Sequence, residues 1–159
     1  MNTKRTQGGL TVALSFLFLG IGGCGSGGAP LDPLSEAGKL AMARTRWAES
    51  GTRSYQFTLF RSAFTAPGYN GPARVTVTNG VVTKVEAASD TEIIAGAFDS
   101  CDTIEELFGK AQQGIETSGG SVVGSYDEAT GVPRTISIDP IPQAADDEVA
   151  YIVTEFQAL

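Results

Sequence analysis

The chain has 159 residues, 42% of them hydrophobic, with 11 Lys+Arg against 18 Asp+Glu, two cysteines and no histidine. A formal net charge of −7 argues against nucleic acid as a partner, because phosphate binding needs a basic stripe. The missing histidine excludes Ser-His-Asp and Cys-His nucleophile pairs and removes the commonest metal ligand.

The first 23 residues read as an export signal. Lys4 and Arg5 make a positive start, residues 10–21 (LTVALSFLFLGI) form an apolar core, and Gly22 and Gly23 are small residues placed for a peptidase cut. Twelve residues are too few for a membrane span, which needs about 20. Ile21-Gly22-Gly23-Cys24 resembles a bacterial lipobox, the signal for lipoprotein processing. The resemblance implies that signal peptidase recognises Ile21, Gly22 and Gly23, and that Cys24 is acylated, palmitate included, and becomes the mature N-terminus. Each buried lipid CH₂ contributes about 0.8 kcal/mol, so two or more chains anchor durably where one is marginal. The competing reading is an ordinary signal peptide cut after another small residue, leaving Cys24 a free thiol.

Residues 24–31 then form a tether, whose GSGGAP run has no side chains able to build a core. Ten such residues reach about 16 to 19 Å, which holds the folded part just off a membrane surface. Gly25 stands where some enteric lipoproteins carry the aspartate that favours inner-membrane retention, which points to the periplasmic face of an outer membrane in a Gram-negative cell. Residues 32–159 are expected to form a single domain.

Charge divides along the mature chain. Residues 24–88 hold seven basic and four acidic side chains, whereas residues 89–159 hold two and fourteen. Either the basic half (Arg44, Arg46, Arg53, Arg61, Arg74) faces anionic lipid, or the halves attract each other within one fold.

In chain order, Asp32-Pro33 reads as an N-cap with proline in the first turn. Ala37, Leu40, Ala41, Trp47 and Ala48 recur on one helical face, with the Arg44 stem along it, and Gly51 ends the helix. Trp47 is expected as a core anchor. A strand follows over residues 54–61, then a hairpin over residues 73–86. A two-residue turn at Asn79-Gly80 would pair Val75 with Lys84 and mix the faces. Pairing Val77 with Val81 through a three-residue loop instead puts Ala73, Val75, Val77, Val81, Thr83 and Val85 on one side. Residues 87–101 read as a partly packed connection, with Ile93, Ile94 and Phe98 as its apolar members.

Thr103 and Glu106 have the spacing of a capping box. They open a second helix with Ile104, Leu107, Phe108, Ala111 and Ile115 on its buried face and Gly119-Gly120 at its end. Three strands are expected at about 121–127, 134–139 and 148–156, the first two joined by a turn over residues 128–131. Each half reads helix, strand, hairpin, with a Ser-Tyr pair in its first strand, so the chain is expected to be α+β: an antiparallel sheet with two helices on one face, open to a reading as a diverged duplication. That layout is similar to tandem β-lactamase-inhibitor-like modules.

Trp47, Tyr55, the V-x-V-x-N-G-V run of residues 75–81, the T-I-E-E-L-F run of residues 103–108 and the YDEATGVPRTISID block of residues 126–139 together resemble an uncharacterised family of bacterial envelope lipoproteins. The resemblance covers nearly the whole mature chain. It implies location and fold and supplies no catalytic residues to carry over.

The chemistry left to the residues is small. Cys101 lacks a histidine to activate it and lies between Asp99 and Asp102, whose charge raises a thiol pKa. It reads as a packed thiol, with an intermolecular disulfide as the alternative. No G-x-S-x-G elbow or S-x-x-K is present. Asp139, Asp146, Asp147 and Glu148 cluster in the loop DPIPQAADDE. Hard oxygen ligands suit Ca²⁺, although the EF-hand spacing is absent and such loops are commonly just solvated. No cofactor is expected. The expected function is a membrane-anchored, non-catalytic binding module of the cell envelope with a protein partner. The alternative is a small Ca-dependent or carboxylate-based envelope hydrolase.

Overall fold

The computed structural model describes residues 31–65, 69–90 and 102–159. The leader with Ile21, Gly22, Gly23 and Cys24, almost all of the tether, and the segment holding Ile93, Ile94, Phe98 and Cys101 lie outside the described residues. The element order is α1 (Glu36–Ser50), β1 (Tyr55–Ala63), β2 (Ala73–Thr78), β3 (Val81–Ala87), α2 (Ile104–Glu116), β4 (Ser121–Tyr126), β5 (Pro133–Asp139) and β6 (Val149–Ala158). All six strands form one antiparallel sheet in the order β3-β2-β1-β6-β5-β4. This is the expected α+β class.

Both helices start and stop for local reasons. The N-cap of α1 is Ser35, which accepts from the Gly38 amide at 3.0 Å, and not Asp32. Asp32 lies one turn earlier, its carboxylate accepting from the Leu34 amide and its carbonyl from the Ser35 amide. Pro33 therefore precedes the helix. Gly51 closes α1 with φ 63°, the left-handed conformation that glycine adopts without a Cβ penalty. At α2 the capping box is complete, with Thr103 Oγ1 accepting from the Glu106 amide and Glu106 Oε2 from the Thr103 amide. That helix ends at Glu116, three residues before Gly119, because Thr117 Oγ1 and its amide both turn back onto the Gln113 carbonyl.

The buried stripe of α1 is Gly38, Leu40, Ala43 and Trp47. It is rotated from the expected one: Ala48 and Arg44 are exposed, and Ala37 and Ala41 are half-buried. Small residues decide the rotation, since Gly38 and Ala43 lie where the chain crosses closest, against Asp32 and Gly131 respectively. On α2, Ile104, Leu107, Phe108 and Ala111 are buried and Ile115 packs at the edge of the core. Both helices pack on the sheet face that carries Tyr55, Phe57, Leu59, Val75, Val77 and Ile136.

The hairpin follows neither expected register. Asn79 (φ 53°) and Gly80 (φ 80°) form a two-residue turn, so Thr78 pairs with Val81 and Val77 with Val82. A bulge then places Thr83 as the extra residue and restores Val75 opposite Val85. Val82 and Val85 consequently join the core, while Val81 and Thr83 face solvent. The turn is held from outside: the Gly80 amide donates to the Arg53 carbonyl at 2.8 Å and the Asn79 amide to Ser54 Oγ at 3.1 Å.

The two Ser-Tyr pairs do not occupy matching places. Tyr55 is fully buried on central β1, whereas Tyr126 ends the edge strand β4, which runs in the opposite direction. The second half repeats the lateral order of the first, β3-β2-β1 followed by β6-β5-β4, with its strands running in the opposite direction. The free edge of β4 is partly blocked by α1, since Glu36 Oε2 accepts from the Gly124 amide at 2.8 Å. Burial, with the Glu36 charge second, pushes the Tyr126 phenol up to about 12.

Candidate functional site

The most distinctive site follows from a mismatch in strand length. β6 has ten residues and pairs with β1 from Val149 to Ala158, but its ladder with β5 stops at Thr135 opposite Ile152. β5 begins at Pro133, which has no amide proton to offer and is paired on its other side with Tyr126. Ahead of it the chain turns tightly. Asp127 Oδ1 accepts from the amides of Ala129 and Thr130 and from Thr130 Oγ1, and the Asp127 amide donates to the Val132 carbonyl. The Thr130 amide and hydroxyl above all, then Arg134 donating to Asp127 Oδ2 at 2.9 Å and the Ala129 amide, hold the Asp127 carboxyl down at about 2.

That loop packs on α1, where Gly131 (φ 78°) lies directly against the Ala43 carbonyl and no Cβ fits. A notch of about 460 Å³ is left between the loop and residues 152–156 of β6. Val132, Pro133 and Arg134 wall one side of it, and residues 152–156 wall the other. Val153 and Phe156 lie toward the helices and Thr154 and Glu155 toward the open face, so both faces of the strand border the notch.

A bulge shapes the β6 wall. Gln56 pairs with Gln157 but Thr58 with Thr154, so Glu155 and Phe156 together oppose Phe57, and Glu155 has φ 52°. Phe156 is thereby directed to the helix side, 5.7 Å from the Trp47 ring and 5.8 Å from Tyr55. Glu155 is turned to the open face, accepting from Thr58 Oγ1 at 2.8 Å and from Arg74 at 3.4 Å. Both bonds lower the pKa of the Glu155 carboxyl, Thr58 contributing most.

Behind the notch sits a polar joint. Glu105 accepts from the Trp47 indole and from the Tyr55 hydroxyl, each at 2.9 Å, and the same hydroxyl accepts from the Ile104 amide at 3.0 Å. Burial raises the Tyr55 pKa well above the usual phenol range, which keeps its proton available as a donor. A shallow cleft of about 520 Å³ opens here between Trp47, Arg53, Gly80 and Glu105. A third cluster joins Asp102, buried at 7% exposure, to Lys110 at 3.4 Å, with Lys110 lying over the Tyr151 ring. Burial raises the Asp102 pKa against the pull of Lys110.

The acidic loop does not assemble a metal centre. Asp139 ends β5 opposite Ser121, Asp146 is exposed with φ 72°, and Asp147 is half-buried beside the start of β6. Asp139 Oδ1 and both Asp147 carboxylate oxygens are buried without a hydrogen-bond partner. Among the described residues no three Asp, Glu, His or Cys side chains form a group that could hold a metal ion.

The five arginines of the basic half likewise do not form one surface. Arg44 and Arg46 lie on α1, Arg53 follows it, Arg74 faces Glu155 on the open sheet face, and Arg61 is half-buried near Asp102. The notch is not foreseen from the sequence. Its one written signal is the three-residue step from Val153 to Phe156, which breaks the two-residue alternation of a strand.

No helix among the described residues is long and apolar enough to cross a membrane. No curated protein and no solved structure matches the chain. Residues 39–158, from α1 to the last residue of β6, match a family of unknown function, DUF6174, and the chain belongs to that family.

Proposed function

We propose that the protein is a lipid-anchored, non-catalytic binding module of the bacterial cell envelope, held by Cys24 on a flexible tether at the periplasmic face of the outer membrane and engaging a protein partner. The observation that carries this reading is the cysteine at the end of the leader's apolar run, preceded by Ile21-Gly22-Gly23 and followed at once by Gly25-Ser26-Gly27-Gly28. Support for binding over turnover comes from how the best-placed carboxylates are used. Glu105 bridges Trp47 and Tyr55, Asp127 organises its own loop, and Glu36 covers a strand edge. Each is committed as a hydrogen-bond acceptor within the fold.

Labelled palmitate fed to cells expressing the full chain is expected to enter the parent protein and not the Cys24→Ala variant, which should leave the membrane fraction. Equal fractionation of the two, or no label in the parent, defeats the reading. Crosslinking in native membranes is expected to recover a stoichiometric protein partner.

A further inference from the structure

We infer that the notch beside β6 receives an extended, cationic peptide segment of a partner protein, which adds to the sheet as a short strand in line with β5. This rests on the reading of the protein as a binding module and names the chemistry of what it binds.

The argument begins with backbone groups. A strand inside a sheet satisfies amides and carbonyls on both sides. β6 does so with β1 on either side of the Glu155–Phe156 bulge, but beyond Ile152 its other side has no ladder among the described residues. β5 cannot be extended to supply one, because Pro133 lacks a donor and the Asp127–Gly131 turn is fixed to α1. The occupant that matches the open backbone donors and acceptors flanking the Glu155 bulge is another backbone in extended form.

Side chains on the notch walls set the occupant's character. Val132, Val153 and Phe156 offer apolar contact toward the helices, while Thr154 and Glu155 lie toward the open face. A strand seated there would place alternate residues against these two environments. Charge selects further. The lining holds two carboxylates, Asp127 and Glu155, against one guanidinium, Arg134, which Asp127 already pairs at 2.9 Å. Glu155 accepts from Thr58 Oγ1 at 2.8 Å and from Arg74 at 3.4 Å, yet its side chain stays 65% exposed and its charge is open to a further cation. A segment alternating apolar and basic residues satisfies both walls.

The test uses the full chain and a fluorescent peptide of alternating valine and lysine, about eight residues long, enough to span the free part of β6 at roughly 3.3 Å per residue. Companion probes are a valine–glutamate peptide and two valine–lysine peptides N-methylated at alternate residues in opposite phases. Binding by the valine–lysine peptide is expected, with at least tenfold weaker binding of the glutamate peptide. One N-methylated phase should lose at least tenfold and the other should bind nearly as the parent, because only one edge of the strand donates to β6. Amide exchange of residues 153–157 should slow on binding, and Glu155→Lys should weaken the lysine peptide about tenfold. No binding, equal binding of both N-methylated phases, or unchanged exchange at residues 153–157 overturns the inference. Such a failure leaves palmitate incorporation at Cys24 untouched. Conversely, a parent protein that takes up no palmitate defeats the anchoring while peptide binding stays measurable.

Discussion

The Glu105 carboxylate and the Tyr55 hydroxyl, fifty residues apart in the chain, meet at 2.9 Å where the first turn of α2 crosses the start of β1. The other carboxylate oxygen takes the Trp47 indole proton at the same distance. One exposed glutamate thus ties α1, α2 and the central strand together, and the Tyr55 hydroxyl passes the tie on to the Ile104 amide.

Glu105→Ala leaves two donors without their acceptor and is expected to cost about 1–3 kcal/mol. Tyr55→Phe orphans the Ile104 amide and belongs in the same range. Because the two groups share one bond, the double variant should lose less than the sum of the singles, with a coupling of about 0.5–3 kcal/mol. Urea denaturation of the three variants checks this, and additive losses would show that the joint is not a unit.

Asp127 gives the fold an acid-sensitive contribution. Its carboxyl sits at about 2 in the folded protein against an ordinary 3.8, so the charged form is favoured by folding. The stabilisation is present above 3.8 and fades as pH falls toward about 2. The melting temperature of the parent should therefore exceed that of Asp127→Asn at neutral pH by a margin that shrinks on acidification below 3.8. A margin independent of pH would refute the assignment.

Asp102 works with the opposite sign. Burial raises its pKa in the folded state, so its contribution is present below the ordinary 3.8 and is lost as pH rises through the raised value. Asp102→Asn cannot ionise and should gain on the parent across that rise. Parallel melting curves of the two proteins from acid to neutral pH would contradict it.

Two glycines in left-handed conformations separate backbone strain from crowding. At Gly51 (φ 63°) the place a methyl group would take has nothing within 4 Å, so Gly51→Ala should cost only the conformational penalty of about 1–2 kcal/mol. Gly131 (φ 78°) carries the same penalty and in addition drives a methyl group into the Ala43 carbonyl. Gly131→Ala should be destabilising by about 2 kcal/mol or more, and it should also displace the loop that walls the notch. Chemical denaturation ranks the pair, and equal losses would mean that the loop gives way freely.

Much of the fold is legible in the sequence because its signals are local. The capping box at Thr103 and Glu106, the αL glycine at residue 51 and the alternation in β1, β2 and β5 each declare themselves within a few residues. Expectation and structure part where a distant contact decides. The α1 stripe is set by Gly131 arriving from the β4–β5 loop, and the β2–β3 register by a bulge at Thr83 that keeps both Val82 and Val85 in the core. The notch is less legible still, since it depends on β5 stopping beside β6, a comparison of two strands that no window of sequence contains. The carboxylates that look most chemical, Asp139, Asp146 and Asp147, draw attention by their adjacency along the chain, whereas Glu105 and Glu155, which do the structural bonding, stand among ordinary neighbours.

The middle of the sheet is closed by β1 and β6, Tyr55 lying opposite Ala158. Contacts this far apart in the chain carry a large loop-closure entropy and fold slowly. The N-terminal half cannot complete its core before β6, Val149–Ala158, has been made. A chain emerging N-terminus first therefore stays open until β6 is free, and losing a few residues of β6 should undo the centre of the molecule rather than its edge.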